Sequence, residues 1–286
     1  MSSASSSPNP RNRPAVVAKA SRPVTQADTR TLSPAPAVTR SAALLEELAR
    51  PGVGPLGLSD LARRLDLPKS SIANLCSALE EAGLIRRVEG RFSLGHKLVE
   101  LASAYLSKVD LLREFHERAR SLPIASQETL LFAVLDDLDV LYLARHDGTQ
   151  PIRLASDVGR KMPATCTALG KAMLASLPSE MIDERLRLLG PLPRLTAKTN
   201  VSGEALLEDV KRVRVRGYSV DDEENTEGII CLSVALPWSG AAHPPMAVSV
   251  TLLKARATSR LRTDLVNDLH DLVAYMPKRL DLNIAN

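Results

Sequence analysis

The sequence predicts an α+β chain in two parts: a small helical head closed by a β-hairpin, then a larger unit that mixes helices with antiparallel strands. Three observations carry this. Between Val38 and Ala82, apolar residues recur at helical spacing in three blocks. Directly after them, Leu84–Val88 and Arg91–Leu94 flank Glu89-Gly90, the pattern of a short hairpin. From Thr129 onward, apolar runs joined by turn residues alternate with amphipathic segments, which fits hairpins and helices better than a doubly wound parallel sheet.

Residues 1–36 are rich in Ser, Pro, Ala and Arg without periodicity and are expected to be disordered. They form a basic tail that either touches nucleic-acid phosphates or is a solvated leader. The first helix is expected near Val38–Arg50, burying Leu44, Leu45 and Leu48 and stopped by Pro51-Gly52. Ser59 is the expected N-cap of a short helix, Asp60–Asp66. Leu67-Pro68 turns into a further helix, Lys69–Ala82, whose stripe of Ile72, Leu75, Cys76 and Leu79 faces inward and which Gly83 ends. Three helices and a small hairpin in this order make a winged helix-turn-helix, here residues 37–95. A linker helix follows over 96–110, with Leu98, Leu101, Ala102, Tyr105 and Val109 on one face. The larger domain takes 111–286, with helices near Leu111–Ser121, Thr167–Ser176, Glu180–Leu189, Gly203–Arg216 and Ser259–Leu280. Its strands are expected near Leu130–Leu135, Val140–Ala144, Tyr218–Val220, Ile229–Leu236 and Met246–Leu252.

Composition narrows the class. The chain of 286 residues is 44% hydrophobic, enough for two cores, but 3% aromatic, which argues against stacking single-stranded bases on rings. Through His96 it carries 13 Lys and Arg against 8 Asp and Glu, yet the first 36 residues alone hold five of those bases and one acid. The surplus sits mostly in the tail, so the helix pattern must carry any argument for DNA. Cys76, Cys166 and Cys231 form no CxxC pair, which fits free thiols in a reducing cytoplasm and neither a disulfide framework nor a zinc site. No apolar run reaches the roughly 18 residues of a membrane span, and the N-terminus lacks the apolar core of a secretory signal.

A helix that reads DNA needs one packed face and one free face, with N-terminal residues reaching base edges. Opposite the Ile72 stripe lie Ser70, Ser71, Ala73, Asn74 and Ser77. They are short, so the backbone can sit deep in the major groove, and Asn74 suits bidentate pairing with adenine. Lys69 suits a phosphate. Arg86, Arg87 and Arg91 on the hairpin suit the DNA backbone or the minor groove. The bland alternative is a helical protein-interaction domain with a few surface serines. Cys76, inside the apolar stripe, reads as a small buried hydrophobe.

In Met246–Leu252, Ala247, Ser249 and Thr251 share one face; in Ile229–Leu236, Cys231, Ser233 and Ala235 do. Two strands that each present one bulky and one small face suggest helices on the first and room for a ligand on the second, unless the small face meets solvent. The segment Pro163–Lys171 reads as a loop entering a helix, whose free N–H groups could hold a carboxylate; it lacks the spacing of a phosphate loop. Arg212, Arg214 and Arg216 resemble a ligand clamp, but such residues more often cap helix carbonyls.

The segments LSDLARRLDLPKSSIANLCSALEEAGLIRR and GRFSLGHKLVELA, then VGRKMPATCTALGKAMLA, then RVRVRGYSVDDEENTEGIICLSVALP, resemble the IclR family of transcription regulators. The resemblance runs from Val38 nearly to the C-terminus. It implies a winged helix-turn-helix, a linker helix and a GAF-like effector-binding domain, assembled as dimers or tetramers on double-stranded operator DNA. It also implies effector contacts at Ala168 and Leu169 (backbone), Asp221, Cys231, Ser249 and Thr251, with a small organic acid or catabolite as ligand, and no cofactor. Asn74 stands where the family usually has arginine, and Ser71 where it usually has threonine. The absence of an aromatic residue among these contacts favours a compact polar ligand. An enzyme is the rival reading: GxSxG, HExxH and GxGxxG are absent and the five histidines are scattered, but a base beside Cys166 or Cys231 is not excluded.

Overall fold

The computed structural model describes residues 33–50, 52–107, 110–149, 157–189, 191–238, 240 and 243–276. Nearly all of the expected tail lies outside them. The head begins with α1 (Pro36–Ala49), which has a proline in its first turn, where no intrahelical N–H is needed. Then come α2 (Leu58–Leu65) and α3 (Lys69–Glu81). Ser59 is not the cap of α2. Gly57 takes that place, because Asp60, three residues inside the helix, reaches back with Oδ2 to the Gly57 N–H at 3.3 Å. On α3, Ile72, Cys76 and Leu79 are buried, whereas Leu75, at the margin of the stripe, is only half-buried.

The wing is β1 (Ile85–Val88) paired antiparallel with β2 (Arg91–Leu94). Phe92 faces the core with Leu44, Leu61, Ile72 and Ile85. Its backbone exchanges two hydrogen bonds with Leu56, at 2.8 and 3.0 Å, so the wing is tied to the segment before α2. The far end of the wing is tied as well. The Gly95 N–H donates to the Leu84 carbonyl at 2.8 Å, and a Cβ at Gly95 would fall 2.1 Å from the Gly83 carbonyl oxygen. Two backbones in contact leave no room to adjust, so Gly95→Ala is expected to cost about 2–4 kcal/mol. Urea denaturation of the variant, followed by circular dichroism, checks this.

Beyond α4 (Lys97–Ser107) and α5 (Asp110–Ala119) the chain builds a six-stranded sheet. Its strands are β3 (Thr129–Asp136), β4 (Asp139–His146), β5 (Lys161–Pro163), β6 (Ser219–Asp222), β7 (Ile229–Ala235) and β8 (Met246–Leu253). The order is β5-β4-β3-β8-β7-β6, and every adjacent pair is antiparallel. The other helices are α6 (Ala168–Ser176), α7 (Ser179–Leu189), α8 (Gly203–Arg216) and α9 (Ser259–Tyr275).

Both faces of the sheet are covered. On one, Phe132, Val248, Val250 and Leu232 pack with Phe115 of α5 and Leu265 and Leu269 of α9. Asp268 of α9 also accepts the Ile124 and Ala125 N–H groups at 2.8 and 2.7 Å, tying that helix to the segment before β3. On the other face, α6 and α8 contribute Leu169, Met173, Leu206 and Val210. Seven of the eight β3 residues are buried, which is why that strand reads in sequence as an unbroken apolar run. No helix among the described residues is long and apolar enough to cross a membrane.

Candidate functional site

In the head, Lys69, Ser70, Asn74 and Ser77 are exposed and Ser71 is half-buried, so the short-chain face of α3 is open. The three wing arginines differ. Arg86 is exposed and forms no ion pair among the described residues. Arg87 lies 3.1 Å from Glu80 of α3, its guanidinium 4.7 Å from the centre of the Phe92 ring. Arg91 donates to the Pro55 carbonyl at 3.0 Å and lies 3.8 Å from Asp60. Two of the three thus brace the wing. Cys76 is fully buried and its thiol is pushed up to about 11 by burial, as expected of a packing residue.

In the larger domain, the register defines the face under α6 row by row, since directly paired residues project to the same side. One row runs Thr129, Thr251, Cys231, Asp221 across β3, β8, β7 and β6. The next includes Leu131, Ser249, Ser233 and Ser219. A third includes Tyr142, Ala133, Ala247 and Ala235. The expected small face therefore exists, but it is not an empty surface: α6 is pressed onto it, and the Ser219 hydroxyl donates to the Ala168 carbonyl at 2.6 Å. Small side chains here serve first to admit a helix. Ser249, Thr251 and Asp221 are buried. Cys231, although deep in the domain, keeps some accessible surface, and its Sγ is 3.3 Å from Thr251 Oγ1.

The start of α6 is held from both sides. Thr167 caps it, accepting the Gly170 N–H at 3.2 Å while donating to the Pro163 carbonyl at 3.0 Å. A Cβ at Gly170 would fall 2.1 Å from the Ala164 carbonyl oxygen, so the loop and the first turn touch backbone to backbone. The N–H groups of Ala168 and Leu169, in the first turn, have no intrahelical acceptor. Both residues are buried.

Asp221 Oδ1 accepts the N–H groups of Glu224 and Asn225 at 2.8 and 3.2 Å, making the turn after β6. That turn aims Glu224 at Lys171 of α6, whose Nζ sits 2.5 Å from Glu224 and 2.8 Å from Asp209 of α8. Lys171 is 1% exposed. Burial works against its charge, but Glu224 and Asp209 outweigh this and hold it above the ordinary lysine value. Thr199 and Thr196 donate to the Glu224 and Glu223 carbonyls at 2.6 and 2.7 Å. Burial raises the Asp221 carboxyl to about 7 against the opposing pull of Lys171 and the two N–H donors.

Sequence reasoning missed Tyr142, Arg160, Thr165 and Thr129 as members of this neighbourhood. Tyr142 is 4% exposed, and burial raises its phenol, with Cys231 and Asp221 adding to the rise and Arg160 opposing it. An aromatic residue therefore does stand beside the expected contacts. Alternation along single strands could not find it, because pairing across β3, β4 and β8 is what brings it near. Burial pushes Cys166 up to about 12, with Asp221 and Glu224 adding, and Cys231 is also pushed up. These are thiols beside acids, a poor setting for a cysteine nucleophile. Arg214 donates to the Ala175 and Leu177 carbonyls at 3.0 and 2.5 Å and to Ser179 at 3.0 Å, so it caps the end of α6. Arg212 pairs with Asp209, and Arg216 donates to the Tyr218 carbonyl. The capping reading thus holds for Arg214 alone, and for a neighbouring helix in place of its own.

A winged helix-turn-helix with an open recognition face, joined to a domain whose sheet and helix enclose a polar row, defines a DNA-binding regulator with a small-molecule sensor. Residues 37–89 match the IclR helix-turn-helix domain, and residues 103–276 match the family described as bacterial transcriptional regulator IclR, C-terminal. The chain belongs to the IclR family of transcription regulators. It is 31% identical over 249 residues to the transcriptional repressor IclR of Escherichia coli K12, covering 86% of this chain and 88% of that protein. Among solved structures, it is similar to a transcriptional regulator from Rhodococcus sp. RHA1, with 26% identity, a TM-score of 0.70, and coverage of 86% and 98%. An IclR homologue from Microbacterium hydrocarbonoxydans, complexed with 4-hydroxybenzoate, shares the fold at 21% identity, a TM-score of 0.68, and coverage of 84% and 98%. The curated relatives are transcription regulators and not enzymes.

Proposed function

We propose that residues 37–95 read operator DNA through α3, with Lys69 on phosphate and Ser70, Ser71 and Asn74 at base edges, while Arg86, Arg87 and Arg91 contact the flanking backbone or minor groove. The open, short-chained face of α3 carries this reading. Arg86 is the arginine best prepared for the role; Arg87 and Arg91 would first exchange Glu80 and Pro55 for phosphate. Residues 111–286 bind a small organic acid or catabolite against Ala168, Leu169, Asp221, Cys231, Ser249 and Thr251, with 96–110 as linker and 1–36 as a basic tail. The effector shifts the placement of two heads within a dimer or tetramer and so changes operator affinity. Exposed Val99, Leu101 and Tyr105 on α4 and Val38 on α1 support assembly through these helices. The protein acts in the cytoplasm.

The test is selection of genomic fragments on the full-length protein, followed by titration of the best fragment. Asn74→Ala is expected to weaken binding about tenfold to a hundredfold and relax preference at one base position. Lys69→Ala is expected to weaken all sequences alike and lower the salt slope by about one. Equal binding of every fragment by the wild type would sink the reading.

A further inference from the structure

Buried tyrosine hydroxyls usually find a hydrogen-bond partner. Tyr142 is 4% exposed, and its hydroxyl bonds to no described residue. The Thr165 hydroxyl, 1% exposed and one residue before Cys166, is also unpartnered. Beside Tyr142 the chain bulges. The Tyr142 N–H donates to the Arg160 carbonyl at 3.1 Å, and the Tyr142 carbonyl accepts from the Gly159 N–H at 2.8 Å, with Gly159 at φ +84°. The β4–β5 register, continued by one step from Leu141 and Lys161, sets Arg160 opposite Tyr142 on the α6 side of the sheet. Arg160 has no carboxylate partner among the described residues, and its Nε is buried without an acceptor. A phenol and a guanidinium, each without a side-chain partner among the described residues, are thus cross-strand neighbours on the α6 side of the sheet. The described residues leave both unsatisfied, and an oxyanion would satisfy the two together.

We propose that Tyr142, with Arg160 beside it, determines the specificity of the effector site by holding a carboxylate of the ligand. This rests on the effector reading above and adds an anchor outside the six contacts named there. Asp221 then faces the remainder of the ligand, across the sheet from the cationic edge. The arrangement selects acids over their neutral analogues, because an amide cannot accept from the guanidinium and the phenol as a charged carboxylate does.

The test is thermal shift and calorimetry on the full-length protein with 4-hydroxybenzoate, benzoate and pyruvate, each beside its amide, using wild type, Tyr142→Phe, Arg160→Gln and Asp221→Asn. At least one acid is expected to raise the wild-type Tm while its amide does not. Tyr142→Phe, which removes an unbonded hydroxyl, is expected to leave the ligand-free Tm within about one degree, yet raise the acid's Kd at least tenfold. Arg160→Gln is expected to weaken the acid similarly. Wild-type affinity in Tyr142→Phe, or a large drop in its ligand-free Tm with binding intact, would overturn the proposal. Binding of amides alone, lost in Asp221→Asn, would overturn it while sparing the effector reading. If no compound in the panel shifts the wild type, both fall.

Discussion

Lys171→Met is expected to destabilise the larger domain by about 3–5 kcal/mol, the usual cost of stranding buried carboxylates without their cation. The substitution preserves most of the side-chain volume, so the loss isolates charge from packing. Lys171 is the cation shared by Glu224 and Asp209, at 2.5 and 2.8 Å, and all three are largely buried. Neutralising the acids as well, in the triple variant Lys171→Met, Asp209→Asn, Glu224→Gln, should recover most of the loss, because no uncompensated charge then remains. Urea unfolding of the single and triple variants measures both values. Equal destabilisation in the two would mean that packing and hydrogen bonding, rather than charge, set the cost.

The second large effect is on pH dependence. Burial raises the Asp221 carboxyl from its ordinary 3.8 to about 7 in the folded chain. The folded state therefore binds this proton more tightly than the unfolded state does. The associated stability is complete below about pH 4, and is lost as pH rises through 7. A shift of this size corresponds to a loss of about 4 kcal/mol by pH 8.5. Asparagine cannot ionise, and its Oδ1 can still accept from Glu224 and Asn225. Asp221→Asn is expected to match the wild type below about pH 4 and to exceed its stability by about 4 kcal/mol at pH 8.5. Chemical denaturation at a series of pH values checks this, and parallel curves for the two proteins would contradict it.

Much of the fold was legible in the sequence. The three head helices, the wing, and the strands of the larger domain follow from periodicity and turn residues. What was not legible depended on partners distant in the chain. Three residues, Lys161–Pro163, form a strand only because β4 lies beside them. Ser59 gave way to Gly57 because a side chain three residues inside the helix supplied the cap. The alternation of β7 and β8 correctly separated bulky from small faces, yet it could not say that α6 would fill the small one. Of the proposed effector contacts, Cys231, Ser249 and Thr251 follow from alternation along single strands, whereas Asp221 comes only with the family resemblance. Alternation does not reach Tyr142 and Arg160, which the proposal adds and which register alone makes neighbours. The arginines of the wing were legible as residues, but not their existing engagements.

The knot between Gly83 and Gly95, with the pair of hydrogen bonds between Leu56 and Phe92, has a mechanical consequence. The wing is sutured at its base to the turn after α3 and along β2 to the segment before α2, with Arg87 and Glu80 bridging wing and α3. Each head therefore meets DNA as one stiff die with a fixed imprint. In the proposed dimer, a signal from the larger domain would tilt, separate or twist a pair of such dies through α4 and leave the shape of each unchanged. On this reading, regulation alters the spacing at which the imprints are offered and leaves the half-site sequence preferred by each head unchanged.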